Sequence, residues 1–425
     1  MTGRSASTPA SPSLEAALDC VRSGDTVVAP LMPGGPTRLL TALCARLGTL
    51  RDITLICGDL EGRHTWLDAI PPGAAGELKL LLLAGKAPRR TDIAVNWAPL
   101  PLYDVTRAFS SGAWHADVAM VAVTPPDDEG LHRIAPTLAW MREAVLAARS
   151  VVAEVSPHLP LLKGGNGVAP ARLTAWVETE ARPVVQARGV VDDLSRVVAR
   201  HVATLVPEHA CLQIGIGSLV EALLLELRGH RDLGLHTGAM SEGVLDLIDA
   251  GVITNARNPH RPKRLYTMSV RGSEAMYARL NGDARVLLES PSFIGDPHAI
   301  AALDHFTAIN SAMVVDLYGQ VNAESVGGRL RTSGGGQMDY ARAAHLAPNG
   351  RSIIMLPSTG GRDGASRIVP RLAAGDLVTS HRADVDYVVT EWGVADLRLT
   401  DLATRRARLI AIAHPDARAA LSAGH

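Results

Sequence analysis

The sequence predicts an α/β protein built as two tandem domains with open, mainly parallel sheets. Three observations carry that expectation. Short runs of β-branched and aliphatic residues alternate with longer amphipathic runs, the order that builds strand–helix–strand units. Glycine-bearing turns stand between several of the strands and the helices that follow. The pattern also begins anew after Pro183, so the 425 residues divide into two similar halves. The expected boundaries are a disordered tail over 1–13, an N-terminal domain over 14–185 and a C-terminal domain over 190–425.

The first strand is expected at Thr26–Ala29. The turn Pro33-Gly34-Gly35-Pro36 follows, then a helix over Thr37–Leu47 with Leu39, Leu40, Leu43 and Leu47 on one face. Ile53–Cys57 reads as a strand. Asp117–Val123 (DVAMVAV) has the unbroken apolar character of a buried strand, and Pro125-Pro126-Asp127-Asp128 ends it. Met141–Ala148 reads as helix and Val151–Val155 as strand. In the second half, Val190–Leu205 is an amphipathic helix, Cys211–Ile216 a strand, Gly217-Ser218 a turn and Val220–Leu227 a helix. Further strands are expected at Ala312–Leu317, Ser352–Leu356 and Tyr387–Thr390.

Hydrophobic residues make up 47% and aromatic residues only 4%, so a large core must be aliphatic. Net charge is −1, with 42 basic against 43 acidic residues, which leaves no electrostatic footprint for nucleic acid or an anionic membrane. Lysine occurs only at Lys79, Lys86, Lys163 and Lys263, so an anionic ligand falls to arginine and backbone N–H groups. The cysteines Cys20, Cys44, Cys57 and Cys211 form no C-x-x-C pair and no zinc spacing, and no metal site is expected. The most apolar stretch, Leu78–Gly85, is far too short to span a bilayer. Met1–Ser13 lacks the apolar run of a signal peptide, and the cytoplasm is the expected location.

Four segments could carry chemistry. Cys211–Ser218 reads CLQIGIGS, and glycines between a strand and a helix let phosphate approach backbone N–H groups; a tight turn with no ligand explains the pattern equally well. Gly319–Asp339 is glycine-dense, and Gly334, Gly335 and Gly336 could present consecutive N–H groups as an anion nest or oxyanion hole, flanked by Asn322 and Gln337. Leu356–Val369 reads LPSTGGRDGASRIV, where Arg362 or Arg367 could meet phosphate. Leu235–Leu247 reads LHTGAMSEGVLDL: His236 could serve in acid–base work and Glu242 could be a first-turn acid, although a lone histidine near a strand end is more often a packed residue. There is no G-x-S-x-G elbow, P-loop or H-E-x-x-H.

The runs LQIGIGS, HTGAMSEGVLDLIDAGVITN, INSAMVVDLYGQVNAES, TSGGGQMDY, LPSTGG, SRIVP, DYVVTEWGVADLR and IAHPDAR occur in order. With them the chain resembles the acetyl-CoA hydrolase / 4-hydroxybutyrate CoA-transferase family of class I CoA-transferases. The resemblance covers most of the chain and is strongest from Leu212 to Leu421. It implies two CoA-transferase-type domains with the active site between them, coenzyme A or acyl-CoA as substrate rather than a tightly bound cofactor, and a homodimer. It also implies CoA contacts at Ile214, Gly215, Ile216, Gly217, Ser218, Asn322, Gln337 and Met338 beside Gly335 and Gly336, and at Gly360, Gly361 and Arg362.

In that family a glutamate attacks the acyl-CoA thioester, and CoA thiolate then attacks the glutamyl carbon. The glutamate belongs to a run resembling H-T-E-M-F-S-D-G. Here the run is His236-Thr237-Gly238-Ala239-Met240-Ser241-Glu242-Gly243, so Gly238 stands at the nucleophile's position. Ser156 stands where the family usually has Asn. The expectation is acyl transfer from a CoA thioester to water or a small-molecule acceptor without a glutamyl intermediate. Gly335 and Gly336 would hold the thioester oxygen, with His236 or Glu242 as base. The alternatives are an ordinary acyl-CoA:carboxylate CoA-transferase using Glu242, one turn from Gly238 if the segment is helical, and a non-catalytic CoA-binding protein.

Overall fold

The computed structural model describes residues 13–32, 34–361 and 364–423. Its first sheet has seven strands in the spatial order Ala175–Glu178, Ser150–Val155, Val118–Val123, Thr26–Met32, Ile53–Asp59, Leu78–Gly85 and Ala94–Trp97. Every neighbouring pair is parallel. The second sheet has nine strands, with Cys211–Ile214 between Phe306–Ser311 and Gly234–Thr237. Only its terminal hairpin, Tyr387–Thr390 with Gly393–Asp396, is antiparallel. In each sheet the first strand of its half lies in the middle, so the strand order reverses there.

One short strand crosses between the halves. Lys163–Gly164 pairs with Leu287–Leu288 at the edge of the second sheet. Gly164 sits at φ +139°, and a Cβ there would stand 2.1 Å from the Leu288 carbonyl oxygen, so only glycine fits. The halves also share a core. Leu102, Phe109 and Trp140 of the first belong to the same buried apolar cluster as Ile300, Phe306 and Tyr340 of the second. A continuous core of this kind fixes the relative position of the two sets of loops, because separating them would expose close-packed apolar surface at roughly 25 cal/mol per Å².

The local reading and the structure part where tertiary burial outweighs sequence pattern. The expected strand Ala312–Leu317 is displaced: the sheet strand is Phe306–Ser311, and Val314–Asp316 instead joins a small sheet with Val321–Asn322 and Ile368–Val369. FTAINS has a weaker apolar signal than MVVDL, yet its central place buries Phe306–Ile309. Cys211–Ile216 stops at Ile214, where the glycines turn the chain. The helix expected from Val190 begins at Asp193, because the Asp192 carboxylate caps it by accepting the Ser195 N–H at 2.7 Å. Leu78–Gly85 is a strand paired on both sides, next to the edge of the first sheet, and no helix among the described residues is long and apolar enough to cross a membrane.

Candidate active site

In an open parallel sheet, the loops leaving the carboxyl ends of the strands at the reversal point form a crevice. In the second sheet the first such loop is Gly215–Gly217. Gly217, at φ +117°, precedes the helix Ser218–Glu226, and no side chain caps that helix. Among the described residues the N–H groups of Gly215, Ile216 and Gly217 have no backbone partner. Ile214 itself is inside the core, and its backbone N–H and C=O are both engaged by the Thr237 hydroxyl. Its side chain is therefore not available to a ligand, contrary to the sequence expectation.

The glycine-rich loop 332–336 is held from both halves. Thr332 Oγ1 donates to the Gly85 carbonyl at 2.7 Å and Ser333 Oγ to the Leu83 carbonyl at 3.2 Å, both at the end of a first-sheet strand. Glu324 accepts the Gly334 N–H at 2.9 Å and the Thr379 hydroxyl at 2.8 Å. Gly335 takes φ +56°, and Gly336 caps the helix Gln337–Leu346. Among the described residues the N–H groups of Gly335 and Gly336 have no backbone partner, so two fixed donors are free to meet an oxyanion.

Gly238 follows the strand Gly234–Thr237. A Cβ built on it would stand 3.2 Å from Tyr340 Oη and 3.7 Å from Met268 Cε, and one built on Gly336 would stand 2.8 Å from Tyr340 Cε2. The Tyr340 ring therefore lies between the two glycine loops, with its hydroxyl in the room a side chain at 238 would take. Burial pushes the phenol far above its ordinary range, so the hydroxyl remains a donor. Tyr340 was not singled out from the sequence. The available signal was its place one helical turn after Gly336, which puts both on the same face.

His236 is not placed as a base. Its side chain is fully buried, with the Nε2–H donated to the Ile294 carbonyl at 2.8 Å and the rings of Tyr266, Phe293 and Phe306 around it. Burial lowers its pKa to about 4, so the imidazole is neutral and packed. His236→Ala is expected to cost about 3 kcal/mol of stability, from the cavity and the lost hydrogen bond, read as a fall in the urea midpoint.

Glu242 is not one helical turn from Gly238. The helix begins only at Glu242, and Met240–Ser241 before it is a strand segment. An extended backbone separates the two positions, which removes the geometric support for Glu242 as a displaced nucleophile. Its carboxylate accepts the Ser273 hydroxyl at 2.8 Å and faces a small cavity shared with Gly217 and Ser218.

Asn322 is fully buried, and its amide is consumed within its own turn by the backbone and hydroxyl of Ser325 and the N–H of Glu324. It shapes the glycine loop from below and does not reach a ligand. Gln337 donates to the Ser380 hydroxyl at 3.1 Å. Gly360 lies on a two-stranded ribbon under the Arg367 guanidinium, and Gly361 follows it at φ +74°. Arg362 lies outside the described residues. Ser156 donates to the Ala181 carbonyl at 2.6 Å.

Met338 lines a cleft of about 640 Å³ between the halves, with Tyr103, Arg342, Thr379 and Asp339. Burial raises the Asp339 carboxyl from 3.8 to about 7, and Asp104 adds to the effect against the Tyr103 N–H at 3.3 Å. The folded protein thus binds this proton more tightly than the unfolded chain. Stability is expected to fall as pH climbs from about 4 to about 7 and to level off above. Asp339→Asn is expected to gain about 2 kcal/mol over the parent at pH 8 and nothing at pH 4, measured by denaturant melts; the cleft-facing edge of the carboxyl keeps the gain below the full conversion of the shift.

Two family descriptions match the chain: the acetyl-CoA hydrolase/transferase N-terminal domain over 90–185 and the C-terminal domain of the same name over 272–424. The 4-hydroxybutyrate coenzyme A transferase of Clostridium kluyveri is 34% identical over 327 residues, 77% of this chain and 76% of that protein. The succinyl-CoA:cyclohexane-1-carboxylate CoA transferase of Geobacter metallireducens is 31% identical over 406 residues, 95% of this chain and 92% of that protein. The crystal structure of RipA from Yersinia pestis superposes with a TM-score of 0.88 at 27% identity, covering 97% of this chain and 95% of that one.

Proposed function

Because this chain belongs to the acetyl-CoA hydrolase/transferase family, we propose that it takes an acyl-CoA thioester and passes the acyl group to water or a small nucleophile without a glutamyl intermediate. The observation that carries the reading is Gly238, with the Tyr340 hydroxyl in the space beside it. The Clostridium kluyveri and Geobacter metallireducens relatives are CoA transferases, whereas position 238 here offers no atom that could form an anhydride or hold CoA covalently. A protonated phenol beside two unpaired N–H groups suits direct attack on a polarised thioester.

In this reading the N–H groups of Gly335 and Gly336 and the Tyr340 hydroxyl receive the thioester oxygen as it becomes an oxyanion. The acceptor's oxygen or nitrogen bonds to the carbonyl carbon, and the carbon–sulfur bond breaks. The acceptor's proton ends on the departing sulfur, which leaves as free thiol. Pantetheine and the nucleotide have room in the cleft lined by Met338 and Asp339.

The test is product mass spectrometry on a panel of acyl-CoAs with water alone and with amine or hydroxyl acceptors. Free CoA and an acid, ester or amide are expected. Rapid CoA exchange onto free acetate, or a trapped enzyme–CoA thioester, would overturn the reading.

A further inference from the structure

Three consecutive glycines have too much conformational freedom to hold two donors in place by themselves. Something outside the run must fix it, and one residue takes up most of the neighbouring N–H groups. Glu324 grips the loop twice. Its backbone carbonyl accepts the N–H groups of Arg331 at 2.7 Å and Thr332 at 3.2 Å. Its side-chain Oε1 accepts the Gly334 N–H at 2.9 Å. The chain therefore arrives at Gly335 with the donors before it already used, and the next two are the ones left over.

Glu324 is itself fixed on both sides. Its own N–H donates to Asn322 Oδ1 at 3.0 Å. Its Oε2 accepts the Thr379 hydroxyl at 2.8 Å, and the same hydroxyl oxygen takes the Ala323 N–H at 2.9 Å. There is little slack around the grip. A Cβ on Gly334 would stand 3.2 Å from the Thr379 methyl and 3.3 Å from the Glu324 carboxyl carbon. Hydrogen bonds to an ionised carboxylate are roughly twice as strong as neutral ones, which suits a clamp. Negative charge next to a loop that receives an oxyanion works against the chemistry by Coulomb repulsion. The carboxylate is thus useful there for its geometry and not for its charge.

We propose that Glu324 is the positioning residue of the oxyanion-receiving loop: by holding Arg331, Thr332 and Gly334 it decides that Gly335 and Gly336 are the free donors and keeps them aimed. Thr379 acts through it by holding the second carboxylate oxygen. The proposal rests on the acyl-transfer reading above for the role it gives those two N–H groups.

Glu324→Ala is expected to lower kcat at least about tenfold while KM moves less than about threefold, because misplaced donors are missed only as charge develops. Glu324→Gln keeps an oxygen for the Gly334 N–H and offers an N–H to the Thr379 oxygen, so its kcat is expected within about threefold of the parent. A residue that took a proton from substrate, or bonded to it, would lose as much with Gln as with Ala. Thr379→Val is expected to fall between the parent and Glu324→Ala, and Thr379→Ser to restore the rate. Two readouts need no turnover. Hydrogen exchange of the peptide spanning 331–336 is expected to quicken at least about tenfold in Glu324→Ala and not in Glu324→Gln. The infrared carbonyl stretch of a bound ketone analogue of acyl-CoA, with a methylene between sulfur and carbonyl, is expected to be lowered in the parent and in Glu324→Gln and to lose that shift in Glu324→Ala. If no acyl-CoA reacts, the functional reading falls, while the exchange result still decides whether Glu324 orders the loop. Equal losses of kcat in the Gln and Ala variants, or a Glu324→Ala protein with lower Tm and parent-like exchange over 331–336, would overturn the proposal.

Discussion

Tyr340→Phe is expected to lower the rate of acyl transfer by about 10²- to 10³-fold, the usual effect of deleting one oxyanion-stabilising donor. The change removes a single oxygen and keeps the ring that fills the gap between Gly336 and Gly238. Stability should therefore move by less than about 1 kcal/mol. The loss should fall on kcat with KM unchanged, because the hydroxyl acts only once charge develops on the thioester oxygen. Single-turnover kinetics with one acyl-CoA separate this from slow product release. An unchanged kcat would remove Tyr340 from the chemistry and leave it as a packing residue.

The second large effect is a gain. Gly238→Glu combined with Tyr340→Phe is expected to raise CoA exchange between acyl-CoA and acetate at least about 10²-fold over the parent, since it supplies a carboxylate nucleophile and the covalent route that comes with it. The pair matters because a Cβ at 238 already stands 3.2 Å from Tyr340 Oη. Gly238→Glu alone must push that hydroxyl aside and is expected to show a smaller gain. Intact-protein mass spectrometry of the double variant should reveal a covalent CoA adduct that the parent lacks. A double variant that binds CoA and yet neither exchanges it nor carries the adduct would show that position 238 does not face the thioester.

Much of the architecture was readable in the sequence because strand and helix periodicities are local. Thr26–Met32, Thr37–Ala45, Val118–Val123 and Ser218–Glu226 each lie close to their expected places. Phe306–Ser311 was not readable, because the reason it is a strand is its central position in the sheet rather than its own composition. The same division runs through the site. The glycine loops at 215–217 and 334–336 announce themselves, since Gly217 at φ +117° needs glycine and Gly335 at φ +56° favours it. Asn322 looked like a ligand-facing polar residue and His236 could have been one, but both side chains are turned inward, Asn322 bonded within its own turn and His236 to the Ile294 carbonyl, partners that no motif specifies.

By itself the amino-acid sequence determined the covalent facts: which residues alternate as strand and helix, where glycine permits a turn, and that position 238 has no side chain to attack a thioester. Only the tertiary structure decided what occupies the vacated room and which donors are left free. Tyr340 reaches Gly238, and Thr332 and Ser333 tie to a first-sheet strand, because of packing among segments far apart in the chain. The physical reason is that backbone preference acts over a few residues, whereas burial, and with it the cost of an unpaired polar group, depends on every segment that closes around it.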